Sequence, residues 1–257
     1  MKEIIAEYCK ILKLGQSIVH RYSGIEADSH EEFLAKLLQG EVERRQRDRV
    51  NRLIREAGFD VVKTFAGYRF DRIEMPKGLT VEGLTRASFV KEKENLICFG
   101  PVGTGKTHCA TAVGVEVCHQ GKRVRYERTA HLVNQLVDAK ARGTLTHFFK
   151  KLSRLDLLIC DEWGYIPLDR EGVKLLFQVI SDCYEKRSVI ITTNLEFSKW
   201  NGIFFDDVIT SAILDRLIHH CHLVVFTGKS YRFKTFKFKL LIQLRGAGIL
   251  ICQMLDI

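Results

Sequence analysis

Residues Asn95–Thr107 read NLICFGPVGTGKT and carry the strongest fold signal in the sequence. Residues 96–99 are apolar like a buried strand, and residues 100–107 spell G-x-x-x-x-G-K-T. Glycines in such a loop let successive backbone N–H groups turn inward toward phosphate oxygens. Residues 107–119 are small and apolar and predict a helix, whose N-terminal end also favours an anion. This strand–loop–helix context indicates a phosphate-binding loop rather than a chance glycine-rich turn.

The residues of this loop have defined tasks. The Lys106 ammonium can reach the β- and γ-phosphates of a nucleotide, and the Thr107 hydroxyl can bind Mg²⁺. The sequence therefore predicts a nucleotide site with an associated metal. Its predicted members are Gly100, Pro101, Val102, Gly103, Thr104, Gly105, Lys106 and Thr107.

Length and composition fit one large domain with a small appendage. The chain has 257 residues, of which 46% are hydrophobic, enough for a real core. No apolar run approaches the roughly 18 residues of a membrane span, and the start of the chain lacks a signal-peptide pattern. The eight cysteines include no C-x-x-C pair, which suits buried free thiols in a reducing compartment. We expect a cytoplasmic protein without a membrane partner.

The net charge of +9 suggests an anionic partner, but its distribution weakens the argument. Residues 229–257 carry 6 basic and 1 acidic side chains, so more than half of the excess lies in this tail. Total charge alone therefore does not establish nucleic-acid binding.

The front of the chain is predicted to be helical. Residues 3–14 have helical periodicity, and a second helix is expected over about 30–57, with Ser29 and Glu32 forming a capping box at its start. The middle of this helix is rich in arginine. These arginines could contact DNA or a partner, or form a solvated helix with Glu/Arg pairs. The aromatic residues between 59 and 70 could line an adenine pocket or pin a linker to the core.

From Asn95 onward, strands alternate with helices, which predicts a parallel sheet with helices on both faces. Five strands are expected, namely the apolar run before the loop, Arg123–Glu127, Leu155–Cys160, Val189–Thr193 and His222–Phe226. The helices are expected at Thr129–Arg142, Leu145–Leu152, Asp207–Ile218 and from an Asp169 cap to about Tyr184.

Asp161 and Glu162 come directly after a buried-type strand. Ligands of parallel sheets bind beyond the carboxyl ends of the strands, so both carboxylates should emerge where the phosphate-binding loop opens. We expect Asp161 to hold Mg²⁺, directly or through water. Glu162 points to the other side of the backbone and is a candidate to polarise a water for in-line attack.

Two further polar residues are candidate catalytic groups. Asn194 follows the fourth predicted strand and could orient the attacking water, although asparagine also suits a helix or turn cap. Arg216 could reach the γ-phosphate of a neighbouring subunit, or form a local salt bridge with Asp215 or Asp207. The run 219–222, HHCH, does not predict a metal site, because adjacent residues at a helix end point in different directions.

Four segments together resemble one family. GPVGTGKTH, LLICDEWGYIPLDREG, LLFQVISDCYEKRSVIITTNLEFSKW and AILDRLIHH are similar to the IstB family, the ATP-binding helper proteins of bacterial insertion sequences. The resemblance covers roughly residues 1–232. It implies an AAA+ ATPase that binds ATP and Mg²⁺, assembles as a homo-oligomer on double-stranded DNA and assists the transposase of the same element. The same ATPase core serves replicative helicase loaders of the DnaC type, which remain the alternative.

The resemblance also implies roles for individual residues. Lys106 and Thr107 match the Walker A pair, Asp161 and Glu162 match Walker B, Asn194 matches sensor 1, and Arg216 matches an arginine acting in trans. Its DNA-contact candidates are Lys140, Arg142, Lys150 and Lys151.

The expected organisation has three parts. A small helical N-terminal domain, residues 1–65, serves assembly or partner and DNA contacts, and residues 66–232 form the AAA+ ATP-binding domain. Residues 233–257 depart from the family pattern as a basic and apolar tail. This tail could be an extra strand, a DNA-contacting arm or an out-of-frame end. Arg232 is a candidate nucleotide-sensing residue.

Overall fold

The computed structural model describes residues 1–165, 169–228 and 230–231. The chain forms two compact units, residues 1–53 and the part from Ile54 onward. Within the described ranges, no helix is both long enough and apolar enough to cross a bilayer.

The first unit is helical, as expected. It contains α1 (Lys2–Ile11), α2 (Ile18–Arg21) and most of α3 (His30–Ala57), with a short 3-10 turn after α2. The predicted bounds of α3 are confirmed. The Ser29 hydroxyl accepts a hydrogen bond from the Glu32 backbone N–H at 3.1 Å, as a capping box requires. The Glu32 carboxylate accepts from the Asp28 N–H at 2.8 Å, one residue before the expected position.

Three arginines of α3, namely Arg44, Arg45 and Arg47, pair with acidic residues of the same helix. Glu41 is only 4% exposed and accepts hydrogen bonds from the guanidinium groups of Arg44 and Arg45 and from the Gly15 N–H. Hydrogen bonding to Arg44 is the main reason that the pKa of Glu41 falls from 4.5 to about 2. The Glu/Arg pairing that the sequence left open therefore exists, with Glu41 at its centre.

The second unit is built on a six-stranded sheet with the order β1-β6-β2-β5-β4-β3. Strands β2 to β6 pair in parallel, which confirms the predicted parallel sheet. The strands are β1 (Ile73–Glu74), β2 (Asn95–Phe99), β3 (Val124–Arg128), β4 (Leu157–Asp161), β5 (Ser188–Thr193) and β6 (Cys221–Phe226).

Strand β1 is the element that the five-strand prediction missed. It has two residues and pairs antiparallel with β6, with Ile73 opposite Phe226. A strand of two residues is too short to show a periodic pattern, so it is recognised only by its pairing with β6.

Seven of the helices that the described residues form belong wholly to this unit. They are α4 (Val81–Thr85), α5 (Lys106–His119), α6 (Thr129–Ala141), α7 (Leu145–Leu152), α8 (Arg170–Cys183), α9 (Asn201–Phe204) and α10 (Asp207–Ile218). The predicted bounds of α7 and α10 are confirmed. Asp169 caps α8 as expected, because its carboxylate accepts from the Gly172 N–H at 2.7 Å.

Side chains alternate between the two faces of the sheet. Leu158 and Val189 belong to a buried cluster that includes side chains of α6 to α10. Ile159 lies on the other face, where it packs so close to α5 that a Cβ at Gly114 would come within 2.8 Å of it. Helices therefore cover both faces, as predicted. The seven described cysteines are free, and six of them are buried.

Candidate nucleotide-binding site

Three glycines of the loop between β2 and α5 have positive φ, and at two of them a side chain would also clash with a neighbour. Gly100 and Gly103 have φ values of 148° and 78°, in the region that L side chains rarely adopt. A Cβ at Gly100 would lie 2.2 Å from the Phe226 carbonyl oxygen, and one at Gly103 would lie 2.1 Å from the Ser230 hydroxyl. The motif therefore adopts the tight turn that its glycines predict.

Lys106 lies at the start of α5 and is 7% exposed. Its ammonium donates to the carbonyl oxygens of Gly100 and Pro101, both at 2.8 Å. The Thr104 hydroxyl donates to the same Pro101 oxygen at 2.8 Å. The loop thus curls around the lysine, and the ammonium lies inside the turn.

A cavity of about 470 Å³ opens beside this loop. Five of the eight predicted nucleotide-binding residues line it, together with Asp161 and Glu162. The five are Val102, Gly103, Gly105, Lys106 and Thr107. Gly100, Pro101 and Thr104 instead shape the loop behind it. The structure thus brings together the two parts of the site that lie far apart in the sequence.

Asp161 ends β4 and is 2% exposed. One carboxylate oxygen accepts from the Thr107 hydroxyl at 3.0 Å and also from the Thr192 hydroxyl. The other oxygen accepts from the Tyr126 hydroxyl at 2.6 Å. Burial, reinforced by this bond, raises the pKa of Tyr126, so the phenol remains a donor.

The sequence did not predict that Tyr126 and Thr192 contact Asp161. Thr192 had a signal, because polar residues at the end of an apolar strand are unusual. Tyr126 had none, since a tyrosine inside a strand fits ordinary β-propensity. Its role depends on β3 pairing with β4, where Tyr126 lies opposite Ile159.

Glu162 follows Asp161 in a left-handed conformation, with φ of 56°. Its N–H donates to the Thr192 hydroxyl at 3.1 Å, which fixes the turn. Its carboxylate lies 3.8 Å from the Arg128 guanidinium, which also pairs with Asp60 at 2.6 Å. Glu162 thus follows the end of β4, lines the cavity and has Arg128 as a basic neighbour.

Asn194 and Arg216 are not among the residues that line the cavity. Asn194 is half-buried just after β5 and is not among the described lining residues. Arg216, in the last turn of α10, donates to the Ala212 carbonyl at 2.8 Å and stacks over the Phe177 ring of α8 at 5.1 Å. These two contacts involve neither Asp215 nor Asp207, the salt-bridge partners that the sequence offered.

The aromatic segment before β1 packs against the loop. Phe65, Tyr68 and Phe70 contact one another, with ring centroids 5.0–5.8 Å apart. The Tyr68 hydroxyl donates to the Gly105 carbonyl at 3.2 Å, and its ring meets His108. These contacts fit the linker-pinning interpretation, since none of the three rings lines the cavity.

The four predicted DNA-contact residues lie on α6, α7 and the turn between them. All four are exposed. Lys140 forms an ion pair with Glu171 at 2.6 Å. Arg142 follows α6, and Lys150 and Lys151 lie in the last turn of α7.

Arg232 and the tail 233–257 lie outside the described residues.

Solved structures share the fold. One is DnaI, with a TM-score of 0.52, 14% identity and coverage of 70% of this chain and 92% of that chain. Another is AMPPCP-bound DnaA from Aquifex aeolicus, with a TM-score of 0.51, 22% identity and coverage of 76% and 59%. At these identities the likeness concerns the fold alone, which is that of an AAA+ domain.

Sequence relatives are closer. A protein named as an insertion sequence IS5376 ATP-binding protein, from Geobacillus stearothermophilus, is 36% identical over 91% of this chain and 95% of its own length. Another, named for insertion sequence IS21 of Pseudomonas aeruginosa, is 36% identical over 86% and 81%. The model of the family described as IstB-like ATP binding protein matches residues 19–238, so the match begins inside the stretch 1–232 that resembled the family and ends six residues beyond it. The chain belongs to the family of IstB-like ATP binding proteins.

Proposed function

We propose that this protein is an ATP-hydrolysing AAA+ protein of a bacterial insertion sequence, which assembles on double-stranded DNA and assists the transposase of the same element. The observation that carries the proposal is that Lys106, Thr107, Asp161 and Glu162 line the same cavity. The insertion-sequence names of relatives that match most of this chain supply the biological context.

The cavity fits a nucleotide. Its volume of about 470 Å³ lies within the range of small-molecule sites, roughly 300–1,000 Å³. Side chains at Gly100 and Gly103 would clash with their neighbours, so the loop offers its backbone and the N-terminal end of α5 to the phosphates. Phosphate oxygens would replace the Gly100 and Pro101 carbonyls as acceptors for the Lys106 ammonium. We therefore assign ATP to this cavity.

The hydroxyl of Thr107 and the carboxylate of Asp161 fit Mg²⁺, which prefers oxygen ligands. They are already in contact at 3.0 Å. Bound there, Mg²⁺ would neutralise charge on the phosphates. Tyr126 and Thr192 hold the Asp161 carboxylate in one orientation through their hydroxyl groups.

Glu162 is the proposed base for the attacking water. Its left-handed backbone and the Thr192 bond aim it at the cavity, which it lines. The Glu162 carboxylate would orient the water and accept its proton as the γ-phosphate is attacked. Asn194 would orient the same water from the end of β5. Arg216, which is held against α8, would act on a neighbouring subunit's nucleotide.

ATP-dependent assembly on DNA is tested by a gel shift of duplex DNA with and without ATP at two salt concentrations. We expect large, salt-sensitive complexes with ATP, because phosphate contacts release counterions. Lys106→Ala should lose the ATP-dependent shift. Equal binding without ATP would reject the assembly, and no binding at all would reject the DNA partner.

Arg216→Ala separates a trans-acting arginine from a structural one. The variant should bind ATP normally yet lose DNA-stimulated hydrolysis by about 1,000-fold, as arginine fingers do. Lys199→Ala, at an exposed ion pair outside the cavity, serves as the control and should keep full stimulation. Unchanged turnover in the Arg216 variant would make that residue structural.

A further inference from the structure

A second cluster of metal-binding side chains lies outside the cavity. Glu185 sits in the turn after α8, and His219 and His220 join α10 to β6. Each of these three exposed residues offers one ligand atom, and the three atoms lie within 4.8 Å of one another. The expectation that adjacent residues of this run point apart does not hold for His219 and His220, whose ring centroids lie 4.1 Å apart. Glu185 is distant in the sequence and reaches them only through the fold.

The surroundings of the cluster favour a bound cation. The Tyr184 hydroxyl lies 2.9 Å from Nδ1 of His219. A histidine that binds metal through one ring nitrogen usually hydrogen-bonds through the other, and Tyr184 supplies that partner. The C-terminal end of α10, where His219 is the cap, carries the negative end of the helix dipole.

The backbone on both sides is fixed. The N–H groups of Lys186 and Arg187 both donate to the Cys183 carbonyl at 3.0 Å, which holds the turn that presents Glu185. The His219 N–H donates to the Asp215 carbonyl at 3.1 Å. The ligand side chains therefore extend from backbone that hydrogen bonds hold in place on both sides.

We infer that Glu185, His219 and His220 form a binding site for a divalent transition-metal ion such as Zn²⁺, with water completing the coordination. Two imidazole nitrogens and one carboxylate suit Zn²⁺, whereas Mg²⁺ prefers oxygen ligands. Zn²⁺ takes these ligands at about 2.0–2.2 Å in tetrahedral geometry, so paired donors in a Zn²⁺ site lie about 3.4 Å apart. The three ligand atoms lie within 4.8 Å of one another, so exposed side chains would close the largest spacing by up to about 1.4 Å.

The site uses only part of the histidine run. Nε2 of His222 lies 2.8 Å from the Glu94 carboxylate, in a separate contact. The Cys221 thiol is not part of the cluster of ligand atoms. The bound ion would tie the end of α10 to the end of α8, two helices that already pack together.

The test is a Co²⁺ titration of the full chain, followed by visible absorption, in excess Mg²⁺ to fill oxygen-donor sites. We expect the double variant His219→Ala/His220→Ala to lose one equivalent of bound Co²⁺ and its absorption bands. His147→Ala, which removes an exposed histidine of α7, should bind as the wild type does. Zn²⁺ should displace the Co²⁺, because it binds such ligands more tightly.

Two conservative variants guard against a folding artefact, which circular dichroism also checks. Glu185→Gln keeps the size of the side chain and should weaken Co²⁺ binding at least about 10-fold if the carboxylate is a ligand. Tyr184→Phe should weaken it by about 10-fold or more, as loss of an outer hydrogen-bond partner does. An unchanged stoichiometry and spectrum in the double variant, or no Co²⁺ binding by the wild type, would overturn the site.

Discussion

Glu41 in the first unit and Asp161 in the second are both buried carboxylates with several hydrogen-bond donors, yet their donors differ. Glu41 accepts from two guanidinium groups and a backbone N–H. The hydrogen bonds to the Asp161 carboxylate come from the hydroxyls of Thr107, Tyr126 and Thr192. The first set brings positive charge to its carboxylate, and the second brings only dipoles.

This difference separates a carboxylate that stabilises structure from one that is suited to bind a cation. Arginines neutralise Glu41 and hold its pKa far below the usual value. Hydroxyls orient Asp161 without adding charge, which fits it to a metal beside phosphate groups. The donor set of a buried carboxylate thus indicates its use, and four substitutions test the contrast.

Asp161→Asn should have the largest effect. The amide keeps an acceptor oxygen but loses the charge, so we expect Mg²⁺-dependent ATP hydrolysis to fall about 100-fold or more. Steady-state phosphate release measures it. Glu41→Gln removes the same charge from the other carboxylate and should hydrolyse ATP at the wild-type rate. Comparable losses in the two variants would contradict the contrast.

Tyr126→Phe deletes one oxygen that orients Asp161. We expect the Mg²⁺ concentration for half-maximal hydrolysis to rise about 10–100-fold, as it does when a metal ligand loses its outer partner. Binding of a fluorescent ATP analogue without metal should stay unchanged. A variant with normal Mg²⁺ dependence would show that Tyr126 serves only the packing of β3.

Glu41→Gln should lower the free energy of unfolding by roughly 1–2 kcal/mol, because charged hydrogen bonds to arginine are lost. The folded pKa of Glu41 is depressed from 4.5 to about 2, so its contribution is complete above pH 4.5 and disappears as the pH falls toward 2. Urea denaturation across this range should show the wild type and the variant converging. A constant difference would mean that the charge is not responsible.

Arg47→Ala should have the smallest effect. Its guanidinium lies 3.9 Å from Glu43, and both side chains are at least half exposed. Exposed pairs of this kind contribute little, so we expect a change within about 0.5 kcal/mol in the same urea experiment. A loss as large as that of Glu41→Gln would mean that exposure does not distinguish the two pairs.

Much of the fold could be predicted from local signals. The bounds of α3 and α10, the cap at Asp169 and the five parallel strands follow from periodicity and capping chemistry, which act within a few residues. Strand β1 could not be predicted, since two residues carry no period. The central place of Glu41 also required the fold, because the Gly15 N–H comes from a different segment.

The candidate site divides in the same way. The phosphate-binding loop and the acidic pair could be predicted from the sequence, because each depends on residue types within one short segment. The contacts of Tyr126 and Thr192 with Asp161 could not, since they depend on β3, β4 and β5 being neighbours in the sheet. Likewise, only the packing of α8 beside α10 brings Glu185 to the two histidines. A contact between residues far apart in the chain cannot be predicted from the sequence of either segment alone.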